Sequence, residues 1–371
     1  MTDRSPVTPE AELFASLQRI DQREKAAQYV SGLLAVEGRK TLRRISDHLG
    51  GEAARQSVHH FISGSSWDWE PVRQALARRA ERLLRPQAWV VAPTLIPRSG
   101  PHSVGVAQRF VPDLGQTVNA QQAYGAWLAS DRGSVPVNWQ LLLPEEGGDE
   151  ERHSRAGVPD SYLIRSAEEC TGRVLPGRDW RLARRPVVLD AAGLDPAELA
   201  ARMRLAGLPF VMRVTGQTRL VADRTALPGY GPRQADADRL VQSVREMWRQ
   251  YPLPGGDLLA TSVPVLLPQP GGGPRGRSLL LVSAWRGARR EAARYWLTDL
   301  RGLPLPALLG LARLSDRVAH DFATVSQRVG VRDFAGRSFQ GWHRHITLAS
   351  VAHLEAVTGA ARPAPAWSSA A

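Results

Sequence analysis

An α/β body preceded by an all-helical segment is the architecture this chain predicts, and three features of the text carry it. Through the first 85 residues apolar side chains recur at three- and four-residue steps, as in Leu13, Leu17 and Ile20 and again in Tyr29, Leu33 and Leu34. Near Gln87 that period gives way to short apolar runs with β-branched members, the first being Ala88-Trp89-Val90-Val91. From Pro186 onward such runs alternate with helical text, the order that builds a sheet covered by helices.

Residues 9–85 read as an all-helical N-terminal domain. Within it Ser63-Gly64-Ser65-Ser66 and Trp67-Asp68-Trp69 form a turn, and Pro71 suits the first turn of a helix running from Val72 to Leu84. Residues 86–214 read as the first part of a core, with strands at 88–91, 104–110, 120–128 and 136–143, then an acidic loop at 145–151. Pro186-Val187-Val188-Leu189-Asp190 restores a buried strand that ends on a carboxylate, followed by a helix over 196–206 and a strand over 210–214. Residues 215–292 are rich in Gly and Pro and predict a β-rich insertion with strands at 262–267 and 279–284. Residues 293–357 close the core with helices over 305–329 and 342–357, and 358–371, mostly Ala, Pro and Ser without periodicity, predict a disordered tail.

Charge narrows the partner. Lys plus Arg number 48 against 36 Asp plus Glu, a formal charge of +12, which favours a polyanion and most simply nucleic acid. Lysine occurs only at Lys25 and Lys40, so the positive charge is almost wholly guanidinium, which forks onto phosphates and base edges. A GC-rich coding composition explains Arg in place of Lys equally well, though not the net charge. The single cysteine, Cys170, excludes an internal disulfide and a multi-cysteine zinc site and fits a reducing compartment. Met1 to Glu12 carry no apolar signal region, and no apolar run approaches the ~18 residues of a membrane span, so a cytoplasmic protein, on the nucleoid when DNA-bound, is expected.

Short motifs offer little chemistry. Gly271-Gly272-Gly273-Pro274-Arg275-Gly276-Arg277-Ser278 lacks the lysine and following helix of a phosphate loop and reads as a hairpin turn. In His343-Arg344-His345 the two imidazoles are splayed by their i, i+2 spacing on a helix, unlike the i, i+4 pair of a zinc helix. No serine or cysteine has an evident base and orienter in sequence.

Longer text is more specific. Gly330-Val331-Arg332-Asp333-Phe334-Ala335-Gly336-Arg337-Ser338-Phe339-Gln340-Gly341-Trp342-His343-Arg344-His345 resembles the closing signature of the DDE superfamily endonucleases of the insertion-sequence 701 group, bacterial transposases of the IS4-like kind. Gln22 to Leu34 and Ser66-Trp67-Asp68-Trp69 resemble the family's N-terminal region. His102 to Val106, Leu143 to Glu146 with Ala156 to Pro159, and Ala293 to Leu297 resemble its middle. The resemblance runs in family order from about Leu13 to Val357 and implies an RNase H-like catalytic-type domain in which two Asp and one Glu hold two Mg²⁺ ions for DNA strand cleavage.

Set against that pattern, the acids are degenerate. Where the family's first Asp closes a Val-Val strand, this chain has Val90-Val91-Ala92-Pro93. The second Asp matches Asp190, for which a turn or helix-cap role is the alternative. The Glu expected on the helix before Gly330 matches Ala319, in Ser315-Asp316-Arg317-Val318-Ala319, with Ser326 and Arg328 at the later Lys and Glu positions. Asp316 and Asp321 lie three and two positions from Ala319 and are not expected to replace it. Magnesium needs carboxylate oxygens, so metal at Asp190 alone would not be productive.

The function expected is therefore a transposase-family protein that binds double-stranded DNA without two-metal cleavage. Arg98, Arg337, Trp342 and Arg344 are the expected DNA contacts, with a packed, solvated helix cap as their alternative. Base reading is expected from the N-terminal helices, and a homodimer by analogy with the family. Two other readings stay open: an active DDE transposase with a displaced metal site, and an interaction protein or remnant without a DNA role.

Overall fold

The computed structural model describes residues 12–111, 115–143, 154–162, 164, 166–227, 229, 234–251, 258–268, 277–286 and 293–359. The acidic loop at 145–151, the glycine-rich run at 271–276, and residues 360–371 of the expected tail lie outside these. Helices α1 (Ile20–Ala35), α2 (Leu42–Leu49) and α3 (Glu52–His59), the last running into one π turn over His60–Gly64, precede α4 (Glu70–Leu84). Strands β1 (Ala88–Pro97), β2 (Val106–Val111), β3 (Gln116–Ser130) and β4 (Gly133–Leu142) follow, then helix α5 (Ala167–Arg173) and strand β5 (Val187–Asp190). Next come α6 (Pro196–Ala206), β6 (Phe210–Val214), β7 (Arg219–Ala222), β8 (Gln234–Asp236), α7 (Ala237–Ser243), β9 (Arg249–Tyr251), β10 (Leu258–Leu266), β11 (Leu279–Arg286) and β12 (Arg294–Thr298). The chain closes with α8 (Leu305–Ala312), α9 (Leu314–Asp321), a π turn over Phe322–Ser326, and α10 (Phe339–Thr358).

Caps explain where these helices stop and start. Asp195 accepts from the backbone N–H of Ala197 at 2.8 Å ahead of Pro196, and Gly207, at φ 65°, ends α6. Ser338 accepts from Gly341 N at 3.1 Å to open α10, and Gly359, at φ 68°, ends it, so Thr358 is still helical. The single helix expected over 305–329 is instead α8, α9 and a π turn.

The chain divides into two compact units, one of residues 1–86, 93–182 and 317–371, the other of 87–92 and 183–316. The divisions fall inside β1 and inside α9, so the units cut across the expected segments: the N-terminal helices share a unit with β2–β4 and α10.

In the first unit β2, β3 and β4 form an antiparallel meander, with Val106 opposite Gln121 and Ser130 opposite Gly133. Helix α10 packs on β4, α1, α4 and the π turn after α3. Phe339, Trp342, Ile346, Leu348, Val351 and Leu354 are each at most 1% exposed, and each contributes roughly 1.5–3 kcal/mol of hydrophobic stabilisation. Most polar residues of this helix are buried too, and several are hydrogen-bonded across the unit, although His343 Nε2 has no partner. Arg73 of α4 donates to Thr347 Oγ1 at 2.7 Å, Asn138 Oδ1 at 3.0 Å and the Trp139 carbonyl at 3.1 Å, and pairs with His343 Nδ1 at 3.0 Å. Tyr29 OH meets His345 Nδ1 at 2.8 Å, and Trp139 Nε1 donates to Ser350 Oγ at 2.9 Å.

In the second unit the strand order is β1-β5-β6-β12-β11-β10-β7-β8, with β9 also on β10. β1, β5 and β6 run parallel, and β6-β12-β11-β10 continue antiparallel. The described strands of 215–292 thus extend this sheet, since β11 pairs along its length with both β10 and β12. Helices α6 and α8 pack on β6, and α7 lies on β10, β11, β7 and β8.

Candidate functional site

Parallel β1 and β5 end side by side. Val91 is opposite Leu189, so the next residue of β1, Ala92, stands beside Asp190 at the carboxyl end of β5. Open α/β sheets bind ligands at such strand ends. A cavity of about 540 Å³ lies just beyond, lined by Ala191, Asp195, Thr215 and Arg219 among others.

Asp190 is partly exposed, and both its carboxylate oxygens are engaged. Oδ1 accepts from Ala192 N at 2.9 Å, closing a local turn, and Oδ2 is ion-paired with Nη2 of Arg213, the residue directly opposite on β6. Arg294 lies two residues from Trp296, which is opposite Arg213, so Arg213 and Arg294 share a sheet face. Arg294 Nη1 donates to both oxygens of Asp316 at 2.7 and 2.8 Å. The guanidinium of Arg213 is held above its ordinary pKa, first by its hydrogen bond to Asp190 against an opposing burial effect, then by the charges of Asp190 and Asp316. Asp190, Arg213, Asp316 and Arg294 therefore alternate in sign as one charge-balanced cluster.

Asp316 is thus nearer to this chemistry than its helical offset from Ala319 predicts. Ala319 itself is an exposed residue of α9. Asp321 serves elsewhere: it is buried and accepts from both the backbone N–H and the hydroxyl of Ser134 at 2.8 Å. Asp299 accepts from Phe210 N at 2.9 Å, at the opposite end of β6 from Arg213, and Asp195 caps α6. Asp113 lies outside the described residues. A two-metal centre needs several carboxylate oxygens facing one point. Among the described residues no three His, Cys, Asp or Glu side chains gather in that way, and the retained Asp190 is already paired with a guanidinium, so the residues present do not fit the group.

The four expected DNA contacts separate into two pairs. Trp342 is 1% exposed and Arg344 4%, and Arg344 donates to the carbonyls of Trp67 at 3.1 Å and Ile62 at 3.2 Å. Both belong to the packed interior of the first unit, the position of the packed alternative to a DNA-facing one. Arg98 is half-buried, donating to Gln121 Oε1 at 2.7 Å and to the Phe334 carbonyl, while Arg337 is exposed. His343 and His345 are buried as well and hydrogen-bonded inside the protein. Arg213 and Arg294 were not picked out in the sequence, because strand pairing is what places them beside the acids; the single Arg in Phe210–Val214, the strand after Asp190, was the available signal.

The family model described as DDE superfamily endonuclease matches residues 12–250, more than half of the chain, and the chain belongs to that family. Its members generally use divalent metals such as Mg²⁺. No curated protein matches the chain. No helix among the described residues is long and apolar enough to cross a membrane.

Proposed function

We propose that this chain is a duplex-DNA-binding protein of the insertion-sequence 701 group of DDE endonucleases whose two-metal strand cleavage is lost. The observation that carries the reading is the ion pair of Asp190 with Arg213 beside Ala92, where an active centre would set carboxylates facing a metal. The parallel trio β1-β5-β6 supports an RNase H-like core beneath that position. With cleavage removed, the remaining competence is phosphate contact by exposed arginines, Arg337 among them, in a chain of net charge +12.

A second reading, an active centre displaced onto Asp190 and Asp316, is favoured by one observation: both acids flank the charge of Arg213. Two measurements on the purified protein separate the readings. Fluorescence anisotropy with labelled duplex from about 50 to 200 mM salt should show affinity falling on the order of 10³-fold, as expected when ~6 or more phosphates are neutralised. Supercoiled plasmid incubated with Mg²⁺ or Mn²⁺ should stay intact. Nicking that Asp190→Ala abolishes would establish the displaced centre instead, and absence of binding at low salt would leave a protein partner or a remnant.

A further inference from the structure

Three chain segments of the first unit converge on one basic surface. The first is the connection from α1 into α2, where Lys40 N donates to Asp333 Oδ2 at 2.7 Å and Arg44 Nη1 reaches the Arg39 carbonyl at 3.5 Å. The second is the end of β1, where the Arg98 side chain donates to the Phe334 carbonyl. The third is the turn after α9 and its continuation, from Arg328 to Arg337, whose last carbonyl accepts from Val104 N at 3.3 Å. Gly330 is the pivot. It takes φ +80°, and a Cβ there would stand 2.4 Å from Lys40 Cγ, so the loop lies directly on the Lys40 side chain.

Five cations come together in this way, Arg39, Lys40, Arg44, Arg98 and Arg328, and Arg337 follows on the third segment three residues beyond Phe334. Arg39, Arg44, Arg328 and Arg337 are exposed, while Lys40 and Arg98 stand behind them. Two carboxylates oppose them, Asp333, which is spent on the Lys40 backbone, and exposed Glu37. The cations feel one another. Burial and then the charge of Arg39 push Arg98 down to about 10, with Asp333 opposing. Lys40 is likewise lowered, by burial first and by Arg44 and Arg328 after it, against Asp333 and Glu37. A folded protein that holds like charges together in this manner bears a repulsion that a bound polyanion relieves.

We infer that this arginine face is where the phosphate backbone of duplex DNA docks, with Arg39, Arg44, Arg328 and Arg337 as the phosphate contacts. The inference rests on the DNA-binding reading above and assigns it a surface. Guanidiniums on three converging segments suit sequence-independent backbone contact that sets the register of the duplex.

The test compares wild type with the quadruple variant Arg39→Gln, Arg44→Gln, Arg328→Gln, Arg337→Gln, and with the same four residues changed to Lys, in anisotropy titrations of one duplex over a salt series. Each lost phosphate contact removes ~0.9 from the slope of log affinity against log salt, so the Gln variant should lose about 3 to 4 and bind at least about tenfold more weakly. The Lys variant should keep the wild-type slope. Circular dichroism melts should show neither variant less stable than wild type, since these side chains are exposed and the Gln variant is relieved of their mutual repulsion. If wild type binds steeply and the Gln variant matches it, the face is wrong and the DNA-binding reading stands; if wild type itself does not bind, that reading falls and this inference with it.

Discussion

A guanidinium can occupy the electrostatic place of a metal ion without its chemistry. On the proposed reading Arg213 does so: it is ion-paired with Asp190 and feels the charge of Asp316, to which Arg294 is ion-paired in turn. These pairs are part-exposed, so their contribution to stability is small, but they set which cations the acids see. The variant Arg213→Gln with Arg294→Gln should acquire Mn²⁺ binding, read as a metal-dependent rise in Tm that the wild type lacks; at metal near 100 times Kd the stabilisation is about 2.7 kcal/mol. Saturable Mn²⁺ stabilisation of the wild type would contradict the closed cluster. Asp190 was legible in the sequence because a carboxylate ending Val187-Val188-Leu189 is a local pattern. Its partner was not, because Arg213 is 23 residues away and is brought opposite by β-pairing alone.

Elements were more legible than sites, since apolar period is written locally and tertiary partners are not. The short apolar runs at 88–91 and 187–190 are strands of the sheet, and the helix over 196–206 is α6. Trp342 and Arg344 show the limit. An aromatic and basic stretch reads alike on a DNA-facing helix and on a buried one, and what decides is the pair of carbonyls at Trp67 and Ile62, 277 and 282 positions distant. Packing between β3 and β4 is set by their hairpin pairing: Trp127 and Trp139 meet edge to face at 6.2 Å, and Gly125 leaves them room. A Cβ at Gly125 would stand 2.8 Å from Trp127 Nε1 and 2.9 Å from Trp139 Cζ3, both on rigid rings. Gly125→Ala should therefore destabilise the protein by about 1–3 kcal/mol, measured by denaturant unfolding; an unchanged midpoint would mean the hairpin relaxes freely.

At the scale of the whole molecule, α10 is joined to its unit by long-range pairing that no local pattern announces, as the bond from Tyr29 to His345, 316 positions apart, illustrates. That helix also makes the protein acid-sensitive. Burial lowers His345 and His353 to about 4, with the Gly330 and Ser134 carbonyls opposing, so both are neutral in the fold while the unfolded chain takes up protons near 6.5. Because the unfolded state binds more protons in this window, their stabilisation is intact above about pH 6.5 and is lost as pH falls toward 4, by roughly 3 kcal/mol for each imidazole. Melting followed from pH 7 to 4 should show this loss, and His353→Gln should make it shallower by up to one proton; a flat profile would show that these imidazoles titrate alike in both states. The same late helix has a consequence for synthesis. A ribosome adding on the order of 5–20 residues per second releases the first strands and helices well before residue 339, so the nascent chain carries the tryptophans of β3 and β4 without their cover until α10 emerges. Closure of this unit therefore waits until residues 339–358 have been made, and until then the unfinished chain is a natural client for chaperones that shield apolar surface.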